Sequence, residues 1–165
     1  MTIKILSIAG SDPSGGAGIQ ADLKTIMAHK LYGMAVPTLC TVQNSLGVTE
    51  SHPLDPSLIQ RQLQAVLDDL PPTAIKIGAL GCKETIEVLA STLKNYSGAI
   101  VLDPVIISSS GMVLLEESAV DSLRRFLLPL CTIVTPNESE FEALFRQQAL
   151  PCFCLRTNGS APNIC

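Results

Sequence analysis

A glycine-rich stretch near the start of the chain carries the residue types and spacing most suited to ligand chemistry. It covers residues 9–25 and has glycines at positions 10, 15, 16 and 18, between an apolar run and a helical pattern. Glycine permits backbone conformations and close ligand approach that a side chain would block. A helix that begins at such a loop presents free backbone N–H groups, which bind anions and polar ligands. Asp22 follows Gly18 by about one helical turn, so its carboxylate can face the same crevice.

The elements that must position this loop alternate along the chain. Apolar runs rich in Val and Ile predict strands at 3–8, 35–41, 74–77, 99–102 and 132–135. Helical patterns lie between them at about 16–30, 56–69, 83–95 and 117–128, and a fifth begins near Glu138. Asp55-Pro56 and Asn137 are helix-start signals for two of these helices. The alternation predicts an α/β fold, a parallel sheet with helices on both faces.

Polar or backbone-exposing residues follow every predicted strand. These segments are Gly10-Ser11-Asp12, Gln43-Asn44-Ser45, Gly78, Asp103-Pro104 and Pro136-Asn137. In α/β sheets, ligands bind beyond the carboxyl ends of the strands. Five such segments at one edge of the sheet predict an enzyme or a tight ligand-binding protein.

Composition limits the classes of partner and compartment. The chain has 165 residues, 47% of them apolar, which suits one globular domain with a substantial core. The formal net charge is −4 and no basic run occurs, so we expect neither nucleic acid nor a membrane as partner. The first apolar run is too short for a signal peptide, and none approaches the roughly 20 residues of a membrane span. We therefore expect a cytoplasmic protein.

The cysteines and histidines form no strong metal pattern. Three cysteines lie among apolar neighbours and are expected in or near the core: Cys40, Cys82 and Cys131. The other three lie near the C-terminus without a neighbouring histidine: Cys152, Cys154 and Cys165. That spacing does not support a zinc prediction. His29 and His52 have no partner pattern, and we expect both at the surface.

Residues 145–165 differ from the rest of the chain. All fifteen acidic residues precede position 143, whereas three of the six cysteines and two of the eleven prolines lie in this tail. Pro151 interrupts the helix that begins near Glu138. We predict a domain over residues 1–144 and an atypical, poorly ordered tail, as a frameshift or an alternative terminus would produce.

Six motifs in order resemble those of the hydroxymethylpyrimidine and phosphomethylpyrimidine kinases of thiamine biosynthesis, within the ribokinase-like superfamily. They are AGSDPSGGAGIQADLKT at 9–25, TVQNSLGV at 41–48, KIGAL at 76–80, VLDPV at 101–105, SSG at 109–111 and TPNESE at 135–140. The resemblance covers about residues 3–144, and the first motif is specific to this group. Pyridoxal-type kinases share the Thr-Pro-Asn element and are the nearest confusable group.

The resemblance implies a function and a set of site residues. The function is ATP- and Mg²⁺-dependent phosphorylation of 4-amino-5-hydroxymethyl-2-methylpyrimidine or its monophosphate, and a homodimer is compatible with it. The residues that would bind the pyrimidine are Gly10, Asp22, Gln43, Ala79 and Val105. The nucleotide-phosphate region would include Asp103, Asn137 and Glu140, with Asn137 and Glu140 near Mg²⁺ through water.

Other interpretations of the same residues stay open. The family's Gly-Thr-Gly-Cys-type anion hole and catalytic base have no match in this sequence, and losing such an anion site lowers a rate on the order of 10³-fold or more. The chain could therefore be an inactive fragment that at most binds pyrimidine, or, as a third option, a pyridoxal-type kinase. The glycine-rich loop and Asp103-Pro104 could be ordinary turns, and Asn137 with Glu140 an ordinary helix cap.

A ribokinase-like sheet that is incomplete at its C-terminus would also expose an apolar edge and uncovered helix faces. Such surfaces promote association. We therefore predict low solubility or compensating oligomerisation.

Overall fold

The computed structural model describes residues 2–145, which form one six-stranded sheet flanked by helices. The strand order is β3-β2-β1-β4-β5-β6. The strands are β1 (Lys4–Ser11), β2 (Tyr32–Asn44), β3 (Gly47–Pro53), β4 (Ala74–Ile77), β5 (Ala99–Leu102) and β6 (Ile133–Val134). All neighbouring strands are parallel except β2 and β3. The predicted α/β class is therefore confirmed, with a mixed rather than a purely parallel sheet.

Five α-helices accompany the sheet in the described part of the chain. They are α1 (Gly18–Ala28), α2 (Pro56–Asp69), α3 (Lys83–Leu93), α4 (Glu117–Ser122) and α5 (Glu138–Phe145). None of the helices in residues 2–145 has the length and apolar character needed to cross a bilayer.

The two faces of the sheet are covered differently. Alternate strand residues such as Leu6, Ile75 and Ile100 point into the main core, where α2, α3 and α4 pack on them. The intervening residues face α1, whose Asp22 contacts Ser7 of β1. Of the five described helices, α1 alone lies on that face.

Strand β3 was not predicted, because its residues carry no continuous apolar run. It pairs antiparallel with the end of β2, and a register shift lies between Val42 and Gln43. Every residue of β3 is half-buried or exposed, as expected at a sheet edge. The hairpin places Gln43 inside β2 rather than after it, which corrects the predicted boundary.

Cys40 corrects another expectation. It is exposed, because successive strand residues point to opposite faces and its neighbour Leu39 occupies the core side. Cys82 and Cys131 are half-buried near the core as predicted, and burial raises the pKa of the Cys131 thiol to about 12. His29 and His52 are exposed, also as predicted. Cys152, Cys154 and Cys165 lie outside the described residues, as does most of the tail.

The helix predicted over residues 117–128 is interrupted. Helix α4 ends at Ser122 and continues as a π-helical turn, Leu123–Leu127, and a 3₁₀ turn, Leu128–Leu130. Pro129 has no N–H to donate, which explains why regular α-helix does not continue. The irregular segment still buries Leu123 and Leu127 against α3.

Arg124 in this segment binds the end of α5. Its guanidinium donates to the carbonyl oxygens of Leu144 at 2.6 Å and Ala143 at 2.8 Å, and to Asp121 at 2.6 Å. The guanidinium thereby ties the last described turn of α5 to this segment.

We therefore expect Arg124→Ala to lower the free energy of unfolding by about 2 kcal/mol, because it leaves those carbonyls without their charged donor. Hydrogen exchange measured by mass spectrometry should show faster exchange over residues 138–145. Arg125→Ala is the matched control, since Arg125 is exposed and lies over the Phe126 ring. Equal exchange rates in the two variants would contradict the role given to Arg124.

Candidate functional site

The site is built at the carboxyl ends of β1 and β4. From β1 the chain moves through α1 to β2 on one side, and it later returns to β4 on the other side of β1. This reversal is a topological switch point, where a crevice opens in α/β sheets. Gly10 and Ala79 meet there, since a Cβ at Gly10 would lie 3.8 Å from the Ala79 Cβ. The position predicted for ligand binding is therefore where the topology opens the sheet.

Gly18 allows the glycine-rich loop to close. Its φ is +57°, and a Cβ at this position would overlap the carbonyl oxygen of Gly10. No residue with a side chain fits there without moving the backbone. Helix α1 therefore begins at Gly18, two residues later than predicted.

Asp12 contacts much of the glycine-rich loop. The residue is 2% exposed, and its carboxylate accepts hydrogen bonds from Ser14 N and Oγ, both at 2.8 Å, Gly16 N at 3.0 Å and Ala17 N at 2.8 Å. Asp12 thus takes the N–H groups of Gly16 and Ala17, which precede the helix. The N–H groups of the first helical residues, Gly18, Ile19 and Gln20, have no acceptor among residues 2–145, so the predicted free N–H groups at this helix start are present. Asp12 therefore fixes the shape of the loop and leaves the start of α1 open.

The polar side chains of α1 also hold this loop. Gln20 accepts from Asp12 N at 2.9 Å and donates to Ser11 Oγ at 2.7 Å. Lys24 Nζ donates to the Gly15 carbonyl at 2.8 Å. Since these contacts join both ends of the loop to one helix, the loop is fixed relative to the sheet.

Asp22 lies at the centre of a polar cluster beneath the loop. Ser7 Oγ donates to Asp22 Oδ2 at 2.6 Å, and Lys76 Nζ lies 3.1 Å from both oxygens of Asp22. Lys76 Nζ is also 3.9 Å from Asp103 Oδ2. The structure thus joins the predicted pyrimidine residue, Asp22, to the predicted phosphate residue, Asp103, through a lysine.

Two polar residues of this cluster were not identified from the sequence. Lys76, for which no role was predicted, is the first residue of the KIGAL motif, and Ser7 lies within the first apolar run. The sequence signal that could have identified Lys76 is its charge within the otherwise apolar strand at 74–77. Its partners are 54 and 27 residues away along the chain, so local spacing does not indicate them.

Asp103 is electrostatically unusual. Burial raises its pKa above the usual range; the Lys76 ammonium lowers it in part, and the Asp22 carboxylate adds to the rise. Its backbone N–H donates to the Ile77 carbonyl at 2.8 Å, which holds it at the end of β5. Asp103 therefore gains a proton more readily than an isolated aspartate does.

The other residues predicted to bind pyrimidine lie at or just beyond the carboxyl ends of their strands. Gln43 Oε1 accepts from Thr41 Oγ1 at 3.1 Å, and the same hydroxyl lies 3.0 Å from the Ser11 carbonyl. The Ala79 carbonyl accepts from Thr38 Oγ1 at 2.6 Å. Val105 is half-buried, two residues beyond Asp103. The predicted residues thus come from the ends of four strands.

Asn137 and Glu140 form a second polar pair at the start of α5. Asn137 N donates to Glu140 Oε2 at 2.9 Å, and Glu140 N donates to Asn137 Oδ1 at 2.9 Å. This is a reciprocal capping pair, so the structural alternative considered for these residues is present. They line a cleft of about 350 Å³ with Ser108, Ser109 and four other residues.

The capping pair leaves Glu140 Oε1 outside its two hydrogen bonds. Carboxylate and amide oxygens suit Mg²⁺, which usually keeps several of its waters. The donor set therefore fits a hydrated ion held through water. Within residues 2–145, no cluster of three or more His, Cys, Asp or Glu side chains could hold a metal directly.

A larger cleft of about 470 Å³ lies at the opposite edge of the sheet, between the segments that precede β4 and β5. No charged residue lines it, and the Tyr96 hydroxyl donates to the Pro72 carbonyl at 3.0 Å. Because it lacks charged groups and faces the amino ends of the strands, we place the candidate site at the switch point.

Known proteins resemble this chain over most of its length. The phosphomethylpyrimidine kinase family model matches residues 12–151. A hydroxymethylpyrimidine/phosphomethylpyrimidine kinase of Synechococcus elongatus is 47% identical over 139 residues, which are 84% of this chain and 53% of that protein. The chain therefore spans about half the length of such relatives.

Solved structures agree with the sequence comparison. The crystal structure of phosphomethylpyrimidine kinase from Clostridium difficile superposes with a TM-score of 0.81 at 46% identity, covering 88% of this chain and 63% of that one. Pyridoxal kinase from Staphylococcus aureus in complex with AMP-PCP and pyridoxal gives a TM-score of 0.75 at 34% identity, with 87% and 51% covered. By sequence match and by fold, the chain belongs to the phosphomethylpyrimidine kinase family, within the ribokinase-like fold.

Proposed function

We propose that this chain acts in the ATP-dependent phosphorylation of 4-amino-5-hydroxymethyl-2-methylpyrimidine or its monophosphate, in thiamine biosynthesis. The observation that carries the proposal is the Ser7–Asp22–Lys76–Asp103 cluster at the switch point, beneath the glycine-rich loop of the family. Relatives named for this activity support the substrate class.

The hydrogen-bonding capacity of the site suits an aminopyrimidine. A carboxylate has about four lone-pair positions. Ser7 and Lys76 occupy three of those on Asp22, which leaves one on Oδ1 for the exocyclic amine. Gln43 accepts from Thr41 through Oε1, so its NH₂ group can donate to a ring nitrogen. Gly10 and Ala79 would contribute backbone contacts, and Val105 an apolar wall.

The phosphate side of the site would comprise Asp103, Asn137 and Glu140. Asn137 and Glu140 would hold a hydrated Mg²⁺, which when bound neutralises charge on the phosphates of ATP. An AMP-PCP complex of a similar pyridoxal kinase supports the use of ATP. The hydroxymethyl oxygen of the substrate, or an oxygen of its phosphate, would form a bond to the γ-phosphorus while the bond from that phosphorus to the β–γ bridging oxygen breaks. ADP would leave, and the proton of an attacking hydroxyl would pass to water.

A second candidate function is pyrimidine binding without turnover. It is motivated by the two parts of the site, because Asp22 and Gln43 could hold a pyrimidine without the electrostatic stabilisation of the moving phosphate on which phosphoryl transfer depends. To separate the two functions, the purified chain is incubated with ATP and the pyrimidine, and ³¹P NMR monitors formation of the phosphorylated product. Turnover near that of a full-length relative supports the kinase, whereas binding without product supports the second candidate. Competition with pyridoxal tests the third option, a pyridoxal-type kinase.

Asp22→Asn should raise the Kd for the pyrimidine on the order of tenfold or more. The amide removes one acceptor and directs its NH₂ group toward either Ser7 or the Lys76 ammonium. Isothermal titration calorimetry measures the effect, with Asp69→Asn at the exposed end of α2 as control. Equal affinity in both variants would remove Asp22 from the binding site.

We also infer that the chain is cytoplasmic, where ATP is available, and that it self-associates as a homodimer. Self-association is supported by an apolar residue at the edge of the sheet. Ile133 of β6, which pairs with Val101 of β5, is 45% exposed and is not covered by α1. Ile133→Lys should shift the chain toward monomer in sedimentation-velocity experiments. Leu46→Lys, an exposed position on the β2–β3 turn, is the control. A wild-type chain that stays monomeric at all concentrations would refute self-association.

A further inference from the structure

Lys76 occupies an unusual position for a lysine. It lies in β4 between Ile75 and Ile77, both essentially buried. Ser7 of β1 is its register partner, so both side chains point to the α1 face of the sheet. A charge in the middle of a four-residue strand disfavours the strand unless it is paired. The pairing partner comes from α1, where Asp22 lies 3.1 Å away.

The contacts of Lys76 join two parts of the site. An ammonium group has three N–H donors. Lys76 is within hydrogen-bonding distance of both oxygens of Asp22, and the Asp103 carboxylate lies 3.9 Å from the same nitrogen. Its side chain is 29% exposed, so it is partly accessible to solvent. One cation thus serves a carboxylate on α1 and another at the end of β5.

We propose that Lys76 is a positioning residue, which orients Asp22 toward the pyrimidine and links it to Asp103 on the phosphate side. This role rests on the proposed function, and it assigns Lys76 no contact with the reacting atoms. Ser7 and Lys76 together leave Asp22 a single acceptor direction, on Oδ1. Without the ammonium, the Asp22 carboxylate would have Ser7 as its remaining described donor and would be free to rotate.

Lys76→Met tests the proposal, because methionine keeps an unbranched apolar stem and removes the cation. We expect the Kd for 4-amino-5-hydroxymethyl-2-methylpyrimidine, measured by calorimetry, to rise about tenfold or more. Lys76→Arg should restore most of the affinity, since a cation returns to the same place. Lys83→Met is the control, as Lys83 lies exposed on α3 and pairs with Glu87. Unchanged affinity in Lys76→Met, or equal losses in the methionine and arginine variants, would overturn the proposal.

A second measurement needs no ligand and so separates this proposal from the proposed function. Carboxyl ¹³C NMR follows Asp103, which Lys76 faces from β4 and Asp22 from α1. Because the Lys76 ammonium lowers the pKa of Asp103, its titration midpoint should rise in Lys76→Met and stay near the wild-type value in Lys76→Arg. The Asp22 signal at pH 7 should also move in Lys76→Met.

The two measurements fail independently. A wild-type chain that does not bind the pyrimidine refutes the proposed function, whereas identical Asp103 midpoints and Asp22 signals in wild type and Lys76→Met refute the role of Lys76. If Lys76→Met does not fold, Lys76→Gln replaces it, because glutamine also removes the cation and keeps an unbranched stem. It should then raise the pyrimidine Kd severalfold; no change would again overturn the positioning of Asp22.

Discussion

Gly18→Ala should lower the free energy of unfolding by about 3 kcal/mol or more and abolish pyrimidine binding. Two effects act at this position. A left-handed φ of +57° disfavours any residue with a Cβ, and that Cβ would overlap the Gly10 carbonyl. Backbone atoms on both sides of the loop would have to separate. The wall of the crevice would therefore move away from the residues that it faces.

Gly111→Ala is a close control for Gly18→Ala. Gly111 also has a positive φ, +89°, but a Cβ there would meet nothing within 4 Å. Gly111→Ala introduces the backbone strain of a positive φ without the steric overlap, so it should lower the free energy of unfolding less than Gly18→Ala does. Urea unfolding followed by circular dichroism gives both values. If the two variants lost equal free energy of unfolding, the close approach of Gly18 to Gly10 would not add to the effect of Gly18→Ala, contrary to our expectation.

Some elements could be predicted closely because their signals are local. The strands at 74–77 and 99–102 match the prediction residue for residue, since a short apolar run bounded by breakers defines a buried strand. The helix at 56–69 matches as well. Its start is set by Asp55, whose carboxylate accepts from the N–H groups of Ser57 and Leu58, followed by Pro56.

Other elements depend on contacts that sequence spacing does not show. Strand β3 exists because β2 offers it an edge to pair with, although its own residues are largely polar. The π-helical turn around Arg124 depends on packing against α3 and on carbonyls of α5. In both cases the partner element, rather than the local pattern, determines the conformation.

The features of the candidate site fall into the same two groups, those that the sequence predicts and those that depend on contacts in the fold. Motif resemblance predicted Asp22 and Asp103, and the topology brings them to one lysine. It did not predict how the lone pairs of Asp22 are shared, because Ser7 and Lys76 come from strands that only the fold makes neighbours. Asp12 was assigned to no role for the opposite reason. Its partners are all local, but a glycine-rich loop does not indicate which of its side chains accepts the N–H groups of the loop itself.

Asp12→Asn should be the second strongly destabilising change, lowering the free energy of unfolding by about 3 kcal/mol. Each carboxylate oxygen of Asp12 accepts two hydrogen bonds, one pair from Ser14 and the other from Gly16 and Ala17. An amide has only one oxygen, so its NH₂ group would face one pair of these donors. The loop would lose that pair of bonds, and the buried NH₂ group would face donors instead of an acceptor.

Asp55→Asn provides the comparison for Asp12→Asn, because Asp55 also accepts backbone N–H groups at a helix start but is exposed. Asparagine is a good N-cap, so this variant should remain close to wild type in urea unfolding. If the two variants lost equal stability, the buried position of Asp12 would have no special importance.

The pH dependence of unfolding gives an independent check on Asp12. Burial alone would raise its pKa, but the hydrogen bonds from Ser14, Ala17 and Gly16 outweigh burial and hold the pKa below its usual 3.8. The ionised carboxylate therefore contributes its full stabilisation above pH 3.8, and this contribution falls as pH drops from there through the folded-state pKa. In Asp12→Asn that part of the acid destabilisation should vanish, so the stability curves of variant and wild type should converge at low pH. Curves that stay parallel would show that Asp12 does not titrate with folding.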